Sequence, residues 1–309
     1  MHALQYSADK LKLYLLKAIR EQGTDTNRVE QRASDQTEEL QSQHSIDRFL
    51  IPMTLEAAKI KSLPDSAYYI PDFITAEEEE RLLQKINSVP LPRWTQLSHR
   101  RLQTWPSALT KSNKLLAAPL PAWLVSPIIT PRFDALGCFA DAPHGAPNHV
   151  LINEYQPGQG IMPHEDGAAY YPLVATVSLG APIVLDIYEK RDPDRPEETY
   201  THDDNSDDDN NNDRQRRKPK FRILQEPRSL LITTKDLYTK YLHGIAERET
   251  DEDLGPETIS NWDLLGEKDR YAETGRYTRQ TRISLTYRDV LQVAKIGNSV
   301  KFLTGGMNK

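Results

Sequence analysis

The sequence predicts a mainly β domain of the sandwich, jelly-roll or barrel type. From residue 149 onward, short segments rich in Val, Ile, Leu, Thr and Tyr follow one another, and turn-forming residues separate them. Few helical patterns interrupt this part of the chain, and many short strands with few helices are typical of these architectures. The predicted strands are HVLINEY (149–155), LVATVSL (173–179), IVLDIY (183–188), FRILQ (221–225), RSLLITT (228–234) and TRISLTYR (281–288).

Length and composition suit one large domain with polar additions. The chain has 309 residues, of which 38% are hydrophobic, and this low average indicates polar inserts in an ordinary domain. The single cysteine, Cys138, excludes an internal disulfide and a cysteine-rich zinc module, and it indicates a reducing compartment. No apolar run approaches the roughly 18 residues of a membrane helix, so we expect no membrane span. The net charge of −6 restricts any nucleic-acid binding to a local patch.

The chain divides into an extension, a domain and a tail. Residues 1–62 are predicted to form an N-terminal extension that is partly helical or disordered, residues 63–300 the domain, and residues 301–309 a tail. Apolar residues at helical spacing near the N-terminus favour an ordinary amphipathic helix over a mitochondrial presequence. At 191–220 a run of Asp and Asn precedes a basic cluster, which predicts a disordered insert between strands.

One helix is predicted to open the domain. Thr75 and Glu78 have the spacing of a capping box, and the glutamates of the first turn suit the positive end of the helix dipole. Leu82, Leu83 and Ile86 then form an apolar stripe. We therefore interpret the glutamates as structural.

The segment NEYQPGQGIMPHEDG (153–167) contains the first candidate for chemistry. A predicted strand ends at a Pro-Gly-x-Gly turn, after which His164 and Asp166 follow. Residues i and i+2 of an extended segment point to the same side, so both side chains can face one metal ion while Glu165 points away. A second His-x-Asp pair, His202 and Asp204, lies in the Asp/Asn tract, where any histidine would find an aspartate, and we discard it.

A further imidazole would complete a set of two histidines and one carboxylate, which is the ligand set of non-heme Fe(II) oxygenases. The candidates for this third ligand are His144, His149, His202 and His243. His243, in KYLHGIAE, has apolar neighbours and a following glycine, so its ring could face inward at the rim of a barrel. A packed core histidine has the same pattern, and the sequence pattern alone leaves the choice open.

The last predicted strand separates polar from apolar side chains. One face carries Arg282, Ser284, Thr286 and Arg288, and the other carries Ile283, Leu285 and Tyr287. A half-exposed strand with solvated arginines would show this pattern. Two arginines flanking small hydroxyl residues also suit an anion pocket, because a buried arginine needs an anionic partner and its planar fork matches a carboxylate.

Taken in order, these motifs resemble the AlkB-like Fe(II)- and 2-oxoglutarate-dependent dioxygenases, and the wording around them is similar to the subgroup of the sixth AlkB homologue. The family motif is His-x-Asp, a distal His and Arg-x5-Arg. Asn153-x-Tyr155 occupies the place of the family's Asn-x-Tyr on the strand before the metal loop. The resemblance covers roughly residues 66–292.

The resemblance implies a mainly β (α+β) fold, with a double-stranded β-helix, or jelly-roll, core, flanking N-terminal helices and a substrate lid. It implies Fe(II) as cofactor and 2-oxoglutarate and O2 as cosubstrates. The implied iron ligands are His164, Asp166 and His243, and Arg288 takes a catalytic part near the substrate. The implied cosubstrate-binding residues are Asn153, Tyr155, Arg282 and Ser284, and Arg282 pairs with the distal carboxylate of 2-oxoglutarate. AlkB itself has Asn where this chain has Ser284, which leaves the effect on cosubstrate affinity open.

The activity implied by the resemblance is oxidative demethylation of N-alkylated DNA or RNA bases, acting on a single strand or a flipped base. Aromatic and basic residues near the metal loop, or in the segment that forms the family's lid, are candidate substrate contacts: Tyr170, Tyr171, Trp94, Arg100, Arg101 and Trp105. Each has a structural alternative, since a Tyr-Tyr-Pro can start a strand and paired strands can bury Trp while Arg is solvated.

Two other functions remain open at this point. The same chemistry could act on protein side chains, which the acidic net charge fits, or the domain could bind nucleic acid with little turnover, which Ser284 favours. A zinc hydrolase with the same ligands would leave Arg282 unexplained. We expect a monomer in the nucleus or cytoplasm, and a mitochondrial location is less favoured.

Overall fold

Two large antiparallel sheets form the core of the fold, and two pairs of short strands lie beside them. A computed structural model describes residues 54–64, 67–190 and 218–294. Its strands are β1 (Ala67–Ile70), β2 (Thr95–Leu97), β3 (Arg100–Trp105), β4 (Leu115–Leu116), β5 (His149–Tyr155), β6 (Ile161–His164), β7 (Leu173–Leu179), β8 (Ile183–Glu189), β9 (Phe221–Gln225), β10 (Leu230–Thr234), β11 (Tyr241–Ile245), β12 (Thr250–Asp251), β13 (Tyr277–Thr278), β14 (Arg282–Arg288) and β15 (Val293–Ala294).

The seven-stranded sheet has the order β1-β10-β7-β14-β5-β3-β2, and the four-stranded sheet has the order β6-β11-β8-β9. Neighbouring strands in both sheets are antiparallel. Side chains from both sheets line one cavity of about 340 Å³. This two-layer arrangement confirms the predicted mainly β, jelly-roll fold.

The predicted strands agree closely with the observed ones. The segments at 149–155, 173–179 and 221–225 coincide with β5, β7 and β9. The segment predicted at 228–234 begins instead at Leu230, because Arg228 has a φ of 63°, a left-handed conformation that belongs to a turn. Segments rich in Val, Ile, Leu, Thr and Tyr therefore located the strands, and turn geometry set their ends.

Helices lie outside the two sheets and are short apart from the first. They are α1 (Ala76–Asn87), α2 (Ala122–Val125), α3 (Asp134–Leu136), α4 (Lys235–Thr239) and α5 (Lys268–Ala272). The predicted capping box of α1 is present, since Thr75 accepts from the Glu78 backbone and Glu78 accepts from the Thr75 backbone. Leu82 and Ile86 are buried, and the Gln103 side chain of β3 donates to the Ile86 carbonyl at 3.0 Å, so α1 packs on the larger sheet.

The two faces of β14 separate as predicted. Arg282, Ser284, Thr286 and Arg288 line the cavity, whereas Ile283, Leu285 and Tyr287 belong to the apolar core on the other side of the sheet, which includes Leu82 and Ile86. β14 lies between β5 and β7 in the centre of the sheet, which explains why the whole strand is buried. The polar face of a central strand thus forms one wall of the cavity.

Several predictions fall outside the described residues. These are almost all of the N-terminal extension, nearly the whole insert at 191–220 and the tail at 301–309. They stay predictions, as does the domain boundary at residue 63. Within the described part of the chain, no helix has the length and apolar character needed to span a membrane.

Candidate active site

His164, Asp166 and His243 come together at one end of the cavity. His164 ends β6 and lies directly opposite His243 of β11 in the antiparallel register, and the two ring centroids are 4.3 Å apart. The potential ligand atoms of all three side chains lie within 4.8 Å of one another. Adjacent strands therefore supply two imidazoles, and the turn after β6 supplies the carboxylate.

Both imidazoles are in the neutral form that can bind a metal ion. The His164 Nδ1 lies 2.9 Å from the Met162 carbonyl, which can only accept, so Nδ1 carries the proton and Nε2 keeps its lone pair. Burial lowers the pKa of His164 and lowers the pKa of His243 to about 4. Neutral rings at neutral pH are the form that binds a metal ion.

Asp166 is oriented by an arginine from the larger sheet. The Arg288 Nη2 lies 2.5 Å from the Asp166 Oδ1, and both side chains are almost fully buried. The guanidinium carbon of Arg288 also lies 4.8 Å from the centre of the Tyr170 ring. One side chain thus holds the carboxylate and an aromatic ring at the edge of the same cavity.

Arg282 is a buried cation without an anionic partner. It is only 3% exposed, and its Nη2 donates to the Ser178 Oγ at 2.9 Å and to the Gln225 Oε1 at 3.1 Å. Its Nε has no hydrogen-bond partner, and no described carboxylate lies within ion-pair distance. Burial lowers the pKa of this guanidinium to about 10. A ligand carboxylate would supply the missing charge and accept the unused donor.

The other residues predicted to bind the cosubstrate line the same cavity: Asn153, Tyr155 and Ser284. Asn153 Oδ1 accepts from the Arg100 Nε at 3.3 Å, and Arg282 lies over the Tyr155 ring at 5.9 Å. The structure therefore brings together all eight residues predicted for metal, cosubstrate and catalysis.

Comparison with known proteins agrees with this geometry. The profile of the 2OG-Fe(II) oxygenase superfamily matches residues 125–288, just over half of the chain, and the match includes the three ligands and both arginines. This chain belongs to the 2OG-Fe(II) oxygenase superfamily. As a superfamily member, the oxygenase uses Fe(II), 2-oxoglutarate and O2.

Three relatives place the oxygenase more narrowly. It is 40% identical over 245 residues to a zebrafish protein named "Probable RNA/DNA demethylase ALKBH6", covering 78% of this chain and 92% of that one. It is 28% identical to the uncharacterized protein L905 of Acanthamoeba polyphaga mimivirus, and the match covers 72% of this chain and 84% of that one. It is 26% identical to a Xenopus tropicalis protein named "tRNA (carboxymethyluridine(34)-5-O)-methyltransferase alkbh8", and the match covers 74% of this chain and 32% of that one. The AlkB-like resemblance, close to the sixth homologue, is confirmed.

The residues of this oxygenase fit the groups that the superfamily uses. Two neutral imidazoles and a carboxylate suit Fe(II), and the unpaired guanidinium of Arg282 suits a dicarboxylate. When bound, iron, 2-oxoglutarate and O2 supply the oxidant for hydroxylation of a C–H bond. The chain positions these groups: Arg288 orients Asp166, and apolar side chains from both sheets, among them Leu185, Ile187 and Leu231, line the cavity.

The residues predicted to contact substrate divide into two groups. Arg100 and Tyr170 line the cavity. Arg101 and Trp105 follow Arg100 at odd spacing on β3, so they point to the other face of the sheet. There Arg101 forms a two-point ion pair with Glu154 at 2.6 and 2.8 Å, and Trp105 packs edge-on against Trp123.

Trp94 and Tyr171 also make structural contacts. The Trp94 ring lies under the Arg101 guanidinium at 4.1 Å, and the Tyr171 backbone donates to the Asp289 carbonyl at 2.8 Å. Both side chains pack against the apolar core under the larger sheet. Arg100 and Tyr170 are therefore the two predicted substrate contacts with direct access to the cavity, and the substrate roles stay predictions.

The remaining histidine candidates stand apart from the metal-binding group. His144 bonds to Asp289 at 2.6 Å, and the His149 ring lies 5.8 Å from the Tyr170 ring. His202 lies outside the described residues. Burial lowers the pKa of His149 to about 4, so this ring is neutral beside Tyr170.

Several polar cavity residues were not predicted from the sequence, among them Thr176, Thr233, Gln225 and Tyr238. Gln225 ends β9, and Tyr238 lies in α4, where its hydroxyl donates to the Gly167 carbonyl of the metal loop at 3.2 Å. The signal for Gln225 was present, since it occupies an alternate position of a predicted strand. For Tyr238 no local pattern pointed inward.

Proposed function

We propose that this oxygenase demethylates nitrogen atoms of nucleic-acid bases. The observation that carries the proposal is the aromatic and cationic edge of the cavity beside the metal ligands. Tyr170 and Tyr238 both line the cavity near the metal ligands: Tyr170 lies beside Arg288, and the Tyr238 hydroxyl donates to the Gly167 carbonyl. Arg100 lines the same cavity from β3. Aromatic rings with a cation are what a planar base needs for stacking. The name of the zebrafish relative supports the same class of substrate.

The proposed reaction is hydroxylation of an N-methyl group followed by loss of formaldehyde. One oxygen atom of O2 enters the C–H bond of an N-methyl group, and the other enters succinate as 2-oxoglutarate loses CO2. The resulting N–CH2OH group breaks its C–N bond, which releases formaldehyde and returns the proton to the base nitrogen. The cavity lies between two sheets, so a stacked base cannot reach the metal ligands, and we propose a single strand or a flipped base as substrate.

The test uses Fe(II)-loaded protein with 2-oxoglutarate and matched single-stranded oligonucleotides that differ by one N-methyl group. The proposal predicts equal amounts of formaldehyde and succinate with the methylated strand and only background succinate with the plain strand. His243→Ala should abolish both products. Equal succinate with both strands and no formaldehyde would reject nucleic-acid demethylation.

The acidic net charge favours one competing substrate class, protein side chains. Methylated or plain peptides in the same assay separate the two, because a protein oxygenase would form succinate with peptide and not with oligonucleotide. Retained oligonucleotide binding without succinate would instead indicate a binding module. The monomeric state and the nuclear or cytoplasmic location are part of this proposal as well.

A further inference from the structure

Gln225 is a buried amide that lines the cavity and contacts Arg282. It is the last residue of β9, its side chain is 2% exposed, and it lines the cavity together with Tyr155 and Ser284. The residue comes from the smaller sheet, whereas Arg282 comes from the larger one. The two side chains therefore meet across the gap between the sheets.

The orientation of this amide is fixed by its neighbours. The Arg282 guanidinium only donates, so the atom that lies 3.1 Å from its Nη2 must be the amide oxygen of Gln225. The Ser178 hydroxyl reaches the same oxygen at 3.4 Å. The amide nitrogen therefore points away from both, and no described residue accepts a hydrogen bond from it.

Arg282 alone does not supply all the hydrogen bonds that a buried carboxylate accepts. Its Nη2 is already engaged by Ser178 and Gln225, while its Nε has no partner. A carboxylate has two oxygens that accept about four hydrogen bonds in total, so a buried one needs donors from more than one direction. The free N–H groups of Gln225 lie beside Arg282 and provide such a direction.

We propose that Gln225 is a cosubstrate-binding residue, whose amide nitrogen donates to the distal carboxylate of 2-oxoglutarate while its amide oxygen orients Arg282. The chain then recognises that carboxylate from both sheets, with a charged donor from one and a neutral donor from the other. A hydrogen bond to a charged group in a buried site corresponds to about a ten- to hundred-fold change in affinity.

The test compares Gln225→Leu with Ser178→Ala. Ser178 contacts both Arg282 and the Gln225 amide oxygen but does not line the cavity, so its loss reports on the orientation of these two side chains and removes no donor to the ligand. The measurement is anaerobic titration of the Fe(II) protein with 2-oxoglutarate, followed by the visible charge-transfer band of the chelate. Gln225→Leu should weaken binding ten- to hundred-fold, and Ser178→Ala less than three-fold. Equal losses would reduce Gln225 to a positioning residue and overturn the proposal.

A second ligand and a second variant complete the experiment. 2-Oxopentanoate has the same keto-acid end and chain length but no distal carboxylate, so Gln225→Leu should bind it as the wild type does. Gln225→Glu keeps the shape and gives Arg282 a counter-ion, which favours folding, but it loses the N–H donors and adds a negative charge. It should lose more than a hundred-fold in 2-oxoglutarate affinity while its circular dichroism stays native. Loss of 2-oxopentanoate binding in Gln225→Leu, or retained 2-oxoglutarate binding in Gln225→Glu, would contradict the proposal.

Discussion

Replacing Arg282 with Met should stabilise the ligand-free protein while it abolishes cosubstrate binding. The guanidinium is charged at neutral pH in both the folded and the unfolded chain, but in the fold it is buried and no carboxylate of the described residues lies within ion-pair distance. Burial lowers its pKa to about 10, well below the ordinary value of a guanidinium, and each pKa unit corresponds to 1.36 kcal/mol. The folded state therefore carries a cost of about 3 kcal/mol that methionine removes.

Part of this gain is offset by lost hydrogen bonds. Arg282 donates to Ser178 and Gln225, which keep a contact with each other at 3.4 Å after the substitution. Allowing for these losses, we expect the free energy of unfolding to rise by about 1–2 kcal/mol, or a Tm increase of about 2–8 °C. The stabilisation that a saturating cosubstrate gives the wild type, about 2.7 kcal/mol at a hundred-fold excess over Kd, should disappear.

Arg279 is the matched control. It is as buried as Arg282, at 3% exposed, but it forms a two-point ion pair with Asp251 at 2.7 and 2.8 Å and donates to the Ala246 carbonyl. Arg279→Met leaves a buried carboxylate alone and should cost about 3–5 kcal/mol. Urea unfolding of both variants in EDTA measures the two effects. If Arg282→Met destabilises the protein as much as Arg279→Met, Arg282 is not an uncompensated charge in the ligand-free protein, and the predicted stabilisation is wrong.

Three further predictions test the neighbouring parts of the site. Folded His149 has a pKa of about 4 against an ordinary 6.5, so the unfolded chain binds its proton first and stability falls as pH drops from 6.5 to 4. His149→Leu should remove about 3 kcal/mol of this loss, so the curve of unfolding free energy against pH should become flatter. An unchanged curve would be inconsistent with a buried neutral ring. Arg288→Gln should weaken iron binding by about 10- to 100-fold, measured by metal titration, because Asp166 loses its orienting partner; wild-type affinity would show that the ion pair is dispensable. Tyr170→Ala should raise the KM for a methylated oligonucleotide about ten-fold and Tyr170→Phe should not, since stacking needs only the ring; equal effects of both would implicate the hydroxyl.

Local patterns predicted most of the metal and cosubstrate site. The i, i+2 spacing of His164 and Asp166 and the two-residue alternation of β14 depend on strand geometry alone. His243 needed the resemblance, because its pairing with His164 joins segments that are far apart in the chain. Periodicity places a side chain on a face, but it does not identify the strand that lies opposite.

The same limit explains the residues that were missed or placed elsewhere. Gln225 contacts Arg282 only because β9 and β14 belong to different sheets that face each other, which no local window contains. Arg100 and Arg101 are both predicted as substrate contacts, although adjacent strand residues point to opposite faces. Arg101 is instead paired with Glu154, a partner 53 positions away in the sequence.

His164 of β6 and His243 of β11 face each other, so iron affinity depends on the alignment of the two strands. Slippage by one residue would turn one ring outward without altering any ligand. Gly244, next to His243, keeps the two backbones close: a Cβ there would meet the Ile161 oxygen and the Pro163 nitrogen at 3.0 Å. Gly244→Ala should therefore push the strands apart and release the metal. Weaker iron binding in a variant of this enzyme is therefore also expected where the two backbones are displaced and every ligand is unchanged.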